Sequence, residues 1–274
     1  MVGHVEWVQF AHVPHVPRAG EVVHATAPFE EPAGGGAVAA VQLARLAGRA
    51  GLFTALGTDA HGDASMSRLS ALGVEVHAMR LADPTRRALT LLDDAGERTI
   101  TTLGSRLEPR GGSGAADWSE LGGLDGVYFT AGDLAALQIA REGSRVLVAS
   151  PRAGAALGRG VRLDALVLSG GDEIELRAAA GVEENADVVV RTEGARGGSY
   201  RTREGRAGRW DPAALEGEPL DSYGCGDSFA AGFTFGLAAG MGIERALALA
   251  ARCGAVCLTG TGPYGRQLDA ASLG

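Results

Sequence analysis

The chain of 274 residues is 46% apolar, a length and composition typical of a soluble globular protein with one large domain or two small ones. Its net charge of −8, from 25 basic and 33 acidic residues, argues against a nucleic-acid binder, because the basic residues are scattered and form no stripe. Every basic residue is arginine, which excludes a Walker A loop, a protein-kinase strand lysine and a Schiff-base enzyme.

The N-terminal part of the chain predicts two strands, a glycine turn and a helix. β-branched and aromatic residues favour strands at residues 2–13 and 21–25, with prolines and a glycine between them. Residues 33–36, Ala-Gly-Gly-Gly, then open a helix of small residues that we expect to end at Gly48.

The same glycine turn allows a different function. Gly34-x-Gly36-x-x-Ala39 matches the fingerprint with which dinucleotide-binding folds hold NAD. That fold needs a strand ending near residue 33, and Glu30-Glu31-Pro32 is a poor strand end. An NAD-dependent oxidoreductase is therefore the less favoured interpretation.

The middle of the chain predicts short strands, a helix and a hairpin. Strands are expected at residues 51–56 and 75–80, a helix at 63–72, and a hairpin of residues 87–92 and 98–103 around a turn at 94–96. Residues 104–123 are rich in Gly, Ser and Arg and predict an exposed connection.

From residue 126 onward, apolar strands alternate with helices. Strands are expected at residues 127–129, 146–148, 165–168 and 188–190, helices at 134–142 and 173–180, and an edge hairpin at 199–210. Continuous apolar strands in this alternation indicate a parallel sheet that is covered by helices on both faces.

One stretch near the C-terminus concentrates the residues expected for chemistry. Residues 221–229, Asp-Ser-Tyr-Gly-Cys-Gly-Asp-Ser-Phe, predict a loop that becomes a helix. Gly224 and Gly226 allow the N–H groups of residues 224–227 to converge on an anion at the positive end of that helix. Asp227 is either a structural helix cap or a base beside the anion, and the second arrangement suits phosphoryl transfer.

This motif resembles the signature Asp-Thr-x-Gly-Ala-Gly-Asp-x-Phe of the ribokinase-like (PfkB) family of carbohydrate kinases. Less specific family motifs occur in the family's order: the glycine turn at 34–36, Gly-x-Asp-x-x-Gly at 57–62 and Thr-x-Gly-x-x-Gly at 192–197. The resemblance covers nearly the whole chain.

The resemblance implies a single domain, residues 1–274, with a three-layer α/β fold. A central, mostly parallel sheet would have helices on both faces and a small β lid from roughly residues 9–28 and 86–103. It also implies an ATP-dependent kinase that phosphorylates a hydroxyl of a sugar-like small molecule. Mg²⁺ is the expected metal, and a monovalent cation and a homodimer through the lid are further options within the family.

The family's functional residues can be carried over position by position. By resemblance, Asp227 is the general base, and Gly224, Cys225 and Gly226 form the anion hole. The nucleotide would contact Thr192, Gly194 and Gly197, Asp221 occupies the place of a monovalent-cation site, and Asp172 is the metal carboxylate. The acceptor would be received by Gly34, Gly35 and Gly36 together with Glu6 and Arg152.

The chain departs from the family at the metal and acceptor positions. The family's Asn-x-x-Glu falls on residues 169–172, Ser-Gly-Gly-Asp, so one carboxylate survives and the asparagine is lost.

At the acceptor position, Val8 stands where ribose kinases carry an aspartate that binds sugar hydroxyls, and Glu6 stands where they carry an amide. Unpaired ribose hydroxyls would cost ~1–3 kcal/mol each. We expect ribose to be a poor acceptor, and a larger or less hydroxylated alcohol to contact Glu6 and Arg152.

Two alternatives within the family stay open. One is a catalytically idle protein that binds a nucleotide or sugar and regulates another process, and the intact loop around Asp227 argues against it. The other is a nucleoside kinase.

The cysteines and the N-terminus indicate a cytoplasmic protein. The three cysteines form no C-x-x-C motif, so neither a disulfide framework nor a structural zinc site is expected. Cys225, at a helix N-terminus, is either a reactive thiol biased toward the thiolate form or an ordinary buried cysteine. No apolar run reaches membrane-spanning length, and the first residues lack the pattern of a signal peptide.

Overall fold

The computed structural model of the chain describes residues 1–94, 96–112 and 117–273. Its strands are β1 (Glu6–Val13), β2 (Thr26–Ala33), β3 (Ala50–Gly57), β4 (Val74–Leu81), β5 (Arg87–Asp93), β6 (Arg98–Leu103), β7 (Leu124–Phe129), β8 (Ser144–Ala149), β9 (Leu163–Ser169), β10 (Ala186–Thr192), β11 (Gly198–Thr202) and β12 (Ala207–Trp210). Its helices are α1 (Gly35–Ala47), α2 (Ala60–Ala71), α3 (Leu134–Gly143), α4 (Glu173–Ala179), α5 (Cys225–Ala238) and α6 (Ile243–Leu258). None of the helices in the described ranges is long and apolar enough to cross a membrane.

A central sheet runs through the molecule. Its strands pair in the order β12-β11-β10-β9-β8-β7, and β3 pairs with β4 beside them. Val2 joins the two parts, because it forms parallel bridges to Phe129 in β7 and to Phe53 in β3. Strands β7 to β10 pair in parallel, as do β3 and β4, whereas β11 and β12 continue the sheet antiparallel. The mostly parallel sheet predicted from the sequence is confirmed.

Helices cover both faces of this sheet. Because side chains alternate along a strand, neighbouring residues enter different cores. Val148 and Val167 lie in a core shared with α1, α5 and α6, whereas Leu147 and Leu166 lie in a second core shared with α3 and α4. All four side chains are buried. The three-layer α/β architecture is therefore confirmed as well.

Four strands form a separate sheet in the order β2-β1-β5-β6, which we call the small sheet. The strand expected at residues 21–25 is wrong, because those residues form no strand and the neighbour of β1 is β2. Pro32 made this segment look unlike a strand. It lies in an edge strand, where the missing N–H of a proline is tolerated.

The end of β2 bears on the NAD interpretation. β2 does end at Ala33, directly before the glycine turn, but it runs antiparallel to β1 at the edge of the small sheet. A dinucleotide fold has a buried parallel strand at this point. The fingerprint at residues 34–39 therefore lacks the structural context that it requires.

Two predicted segments lie partly outside the described residues. The hairpin turn at 94–96 includes residue 95, and the connection at 104–123 includes residues 113–116. Within the described part of that connection, Leu107 and Leu121 are buried. The connection is therefore anchored to the protein at these two side chains and is not exposed throughout, as the composition had suggested.

Candidate active site

The loop at residues 221–224 becomes α5 at Gly224. This glycine has φ 82° and ψ −1°, a left-handed conformation that favours glycine, and a Cβ atom there would lie 2.8 Å from Val38 Cγ1. The helix begins at Cys225, so Asp227 is its third residue. The predicted transition from loop to helix is confirmed.

The first turn of α5 leaves backbone donors free. Cys225 N–H lies 3.4 Å from Ser222 O, and Ser228 N–H donates to Gly224 O at 2.8 Å. Among the described residues, the N–H groups of Gly226 and Asp227 have no such partner. Gly226 is exposed, and a Cβ atom on it would meet no atom within 4 Å. Two backbone donors without a protein partner therefore lie at the positive end of a helix.

Asp221 holds this loop in place. Its buried carboxylate accepts hydrogen bonds from Tyr223 N–H at 2.8 Å and from Gly262 N–H at 2.9 Å. The Tyr223 hydroxyl in turn accepts a bond from Gly34 N–H at 3.2 Å. The loop before α5 is thus tied both to the segment after α6 and to the start of α1.

The N-terminus of α1 meets that of α5 at Asp227. A Cβ atom on Gly35 would lie 2.9 Å from Asp227 Oδ1. A Cβ atom on Gly36 would lie 2.5 Å from the backbone oxygen of His4, and Gly36 N–H donates to that oxygen at 3.1 Å. Only glycine permits this close approach. Two helix dipoles therefore point their positive ends toward one carboxylate.

The pKa of Asp227 reflects opposing effects. The side chain is partly exposed, and the loss of water around its carboxylate raises its pKa above the usual aspartate range. The positive charges of Arg152, His4 and Arg98 oppose this shift, and the negative charge of Glu175 adds to it. A carboxylate with a raised pKa is a stronger base than an ordinary aspartate.

Glu6 lies beside His4. The carboxylate is buried, 3.4 Å from His4 Nε2 and 3.2 Å from Arg86 Nη1. Burial alone would raise the pKa of Glu6, but His4, Arg86 and Arg106 together outweigh it and lower the pKa. Val8 is fully buried in the core, so this position provides no polar group that could bind a substrate hydroxyl.

Arg152 joins the carboxyl ends of β8 and β9. Its guanidinium is paired with Asp172 at 3.0 Å and with Glu175. Asp172 caps α4 by accepting bonds from Ile174 N–H at 2.9 Å and Glu175 N–H at 3.2 Å. The predicted metal carboxylate is therefore engaged with the protein. Glu175 is the buried carboxylate of the pair, and it also accepts a bond from Ser169 N–H at 2.7 Å.

The turn predicted to hold the nucleotide lies at the carboxyl end of β10. Thr192 ends the strand, and Gly194 and Gly197 both have left-handed φ values, 59° and 74°. A Cβ atom on Gly197 would lie 2.0 Å from Trp210 O, and the Trp210 ring stacks on Phe229 of α5 at 5.6 Å. The turn is thus connected to α5 through β12.

The structure brings some predicted residues to Asp227 and keeps others apart. Gly35 contacts it directly, Arg152 acts on it electrostatically, and Glu6 reaches it through His4. The turn at residues 192–197 is a separate part of the same edge. No cluster of three or more metal-binding side chains was found within the described ranges.

A second cysteine opposes the activation that the position of Cys225 suggested. Its hydrogen bond with the Cys257 thiol, followed by burial, raises the pKa of Cys225. A raised pKa keeps the side chain as a neutral thiol at neutral pH. The helix dipole alone favours a thiolate at Cys225, whereas the second cysteine, which is buried near the end of α6, opposes it, so the reactivity of Cys225 stays a prediction to be tested by labelling.

The three-layer fold, with a carboxylate at a glycine-built helix N-terminus, is typical of a class of α/β phosphotransferases that act on alcohol groups. The sequence model described as "pfkB family carbohydrate kinase" matches residues 1–138 and 162–269. The chain belongs to this family, as the sequence motifs predicted.

Individual relatives agree with this assignment. The chain is 29% identical to an ATP-dependent ribose-1-phosphate kinase of Halopiger xanaduensis over 273 residues, which covers 93% of this chain and 89% of that enzyme. It is 39% identical to an acarbose 7(IV)-phosphotransferase of Actinoplanes over 89 residues, only 32% of this chain and 30% of that enzyme. Arabidopsis thaliana ribokinase, solved with ribose and ATP, has a TM-score of 0.76 at 18% identity, covering 99% and 95% of the two chains.

Proposed function

We propose that this protein is an ATP-dependent kinase that phosphorylates a hydroxyl group of a sugar-like acceptor, with Asp227 as its general base. One observation carries the proposal: Asp227 lies where the N-termini of α1 and α5 meet, beside the free N–H groups of Gly226 and of Asp227 itself. A base next to an anion site is what phosphoryl transfer to an alcohol requires.

The roles of the residues follow from their positions. Asp227 takes the proton of the acceptor hydroxyl, and its raised pKa makes it suited to hold that proton. The N–H groups of residues 226 and 227 stabilise the charge that develops on the transferred group. Gly224 supplies the left-handed turn that aims these donors. Bound ATP would supply the phosphoryl group.

The nucleotide is proposed to lie along the carboxyl edge of the central sheet, at Thr192, Gly194 and Gly197. Ligands of open α/β sheets bind at this edge. The residues fit the group, because a Cβ atom on Gly194 would meet nothing within 4 Å, so the turn leaves room beside its backbone. The solved Arabidopsis relative contains ATP, which supports the same choice of nucleotide.

Mg²⁺ enters the proposal only through the phosphates. It commonly keeps several waters and takes one or two carboxylates plus substrate oxygens. Asp172 Oδ1 caps α4 and Oδ2 pairs with Arg152, so this residue does not fit direct coordination as it stands. Asp221 likewise satisfies both its oxygens with backbone N–H groups, and a monovalent cation there would have to share them.

The acceptor is proposed to lie over Gly34, Gly35 and Gly36, in reach of Glu6 and Arg152. Because Val8 is fully buried and apolar, ribose would lack a partner for its hydroxyls at this position. The full-length relative from Halopiger acts on ribose-1-phosphate, which favours a derivatised sugar over free ribose. A nucleoside is the alternative acceptor within the same chemistry.

The small sheet is also proposed as the surface of a homodimer. It exposes Leu89, Ile100 and Leu103 to 36%, 43% and 44%. Leu89 and Leu103 lie on one face of this sheet, because Leu89 pairs with Thr101 and alternate residues share a face, whereas Ile100 lies on the other face. Exposed apolar side chains on one face favour pairing with a second copy. Sedimentation of the wild type and of Leu103→Glu would test it, since a monomer in both would remove this part of the proposal.

A kinase panel tests the proposal as a whole. Purified protein, ATP and Mg²⁺ are incubated with sugars, sugar phosphates and nucleosides, and ADP release is measured with and without each acceptor.

A variant of Asp227 tests its role with the best acceptor from the panel. Asp227→Asn should lower kcat by roughly 10²–10⁴-fold while ADP still binds, because the anion site is retained. Normal turnover of Asp227→Asn with the best acceptor would remove Asp227 from the mechanism. If ribose were the best acceptor and Glu6→Gln left its KM unchanged, the proposed acceptor site would be wrong.

A further inference from the structure

Arg98 reaches from the small sheet to the loop that forms the anion site. It is the first residue of β6, and its Nη1 donates to Ser222 O at 2.7 Å and to Ser222 Oγ at 2.9 Å. Ser222 lies two residues before Gly224, at which α5 is capped. A guanidinium from one sheet is therefore fixed against the catalytic loop of the other.

The other arginines near Asp227 and Glu6 each form an ion pair with a carboxylate. Arg86 pairs with Glu6, Arg106 with Glu108, and Arg152 with Asp172 and Glu175. Arg98 differs, because within the described ranges no carboxylate lies within ion-pair distance of it. Its charge is thus available to a ligand, although the guanidinium itself is held in place.

The free edge of Arg98 has the geometry that phosphate prefers. Nη1 uses its two N–H groups on Ser222, and among the described residues Nε and Nη2 make no hydrogen bond. Those two nitrogens form a planar fork that binds two oxygens of one phosphate group. Arg98 is also exposed, so a ligand bound at the loop before α5 can reach it.

The positive charge of Arg98 acts on the residues of the candidate active site. Its positive charge lowers the pKa of Asp227 and also acts on Tyr223 and Cys225, which flank the anion loop. The chain contains no lysine, so any cationic side chain that binds the terminal phosphate must be an arginine or a histidine. Arg98 is the one near the loop that has no acidic partner among the described residues.

We propose that Arg98 binds the terminal phosphate of the nucleotide and stabilises its charge during transfer, so that catalysis depends on the position of the small sheet. This inference rests on the proposed kinase function. In the step itself, the bond from the γ-phosphorus to the bridging oxygen breaks, a bond to the acceptor oxygen forms, and the acceptor proton goes to Asp227. Arg98 exchanges no proton.

Nucleotide binding separates this role from a structural one. Titration calorimetry would compare ADP with the imido analogue of ATP, which retains a third phosphate, on wild type, Arg98→Met and Arg98→Lys. Arg98→Met should weaken the analogue by about 10–100-fold, as expected for charge-assisted bonds, and leave ADP within about twofold. Arg98→Lys should lie between, because it keeps the charge and loses the fork. kcat of Arg98→Met should fall by roughly 10²–10³.

Controls distinguish the ways in which the inference can fail. Arg87→Met removes another exposed arginine of the small sheet and should change neither affinity. Ser222→Ala removes one of the two bonds that hold Arg98 and should have a smaller effect than Arg98→Met. Equal loss of ADP and the analogue, or an unchanged kcat in Arg98→Met, would reduce Arg98 to a structural contact. If the wild type bound neither nucleotide, the kinase proposal itself would fall.

Discussion

Asp227 Oδ1 lies 2.9 Å from the point that a Cβ atom on Gly35 would occupy. The Asp227 carboxylate therefore lies against the first turn of α1, where glycine leaves room for it. Gly35→Ala should push the carboxylate aside, and a misplacement of this size can cost about 10²-fold in kcat. Since the clash involves only the end of a side chain, we expect the melting temperature to stay close to that of the wild type.

Two other glycines give the contrast for this variant. A Cβ atom on Gly36 would lie 2.5 Å from the backbone oxygen of His4, so Gly36→Ala should destabilise the whole protein. Gly158→Ala, with open space around its Cβ position, should alter neither stability nor kcat. A normal kcat in Gly35→Ala would mean that Asp227 keeps its function without this contact.

The pKa of Asp227 predicts a measurable effect on stability. Burial raises this pKa in the folded state, so the folded protein holds the proton to a higher pH than the unfolded chain does. Stability from this group is then lost as pH rises from the usual aspartate range through the raised pKa. Asp227→Asn removes that cost, so its melting temperature should exceed that of the wild type at pH 7.

The size of the difference should depend on pH. Toward lower pH the folded wild type binds more of this proton, so the two proteins should melt at more similar temperatures there. Scanning calorimetry from pH 4 to 8 would measure the trend. A difference that did not grow with pH would contradict the raised pKa.

Local sequence predicted much of the fold and the loop on which the candidate site is built. The loop into α5, the parallel strands and the glycine turn are each encoded by adjacent residues, and all were recovered. β2 was misplaced because Pro32 is acceptable only at a sheet edge, and edge position is a property of the assembled sheet.

The residues that sequence analysis missed come from distant parts of the chain. His4 and Arg98 approach Asp227 only after the small sheet has formed beside the central one. Sequence spacing also could not say whether Asp172 or Glu175 turns inward, since both follow β9 within one helical turn. The one available signal for Arg98 was the absence of lysine, which required some arginine to serve the phosphates.

The side chain of Cys225 should be dispensable. Its expected role uses the backbone, and its thiol bonds to Cys257, so Cys225→Ala should keep kcat within about threefold. Because the raised pKa keeps the thiol protonated, iodoacetamide should modify the wild type slowly at pH 7 and faster as pH rises.

Mass spectrometry would assign the modified cysteine. Cys253 and Cys257 are buried, so early labelling should occur at Cys225 and disappear in Cys225→Ala. Rapid labelling at pH 7 would restore the thiolate interpretation.

Arg152 has two proposed roles that a pair of variants can separate. Its guanidinium neutralises the buried carboxylate of Glu175, and it is also proposed to contact the acceptor. Arg152→Met would leave Glu175 buried with the bond from Ser169 N–H but without its cationic partner, so we expect a loss of about 2 kcal/mol in the free energy of unfolding. It should also raise the pKa of Asp227 further, moving the acid limb of kcat/KM to higher pH.

The double variant Arg152→Met/Glu175→Gln removes the unpaired negative charge at position 175. The amide oxygen of the new glutamine side chain can still accept the hydrogen bond from Ser169 N–H. Most of the lost stability should return, as measured by urea unfolding, because replacing both members of a buried pair costs less than breaking it. If Arg152 acts only on Glu175, the KM for the acceptor should return as well. We expect KM to stay raised, because the guanidinium that is proposed to contact the acceptor is still missing. A double variant with wild-type KM and stability would therefore remove Arg152 from the acceptor site and leave it as the partner of Glu175 alone.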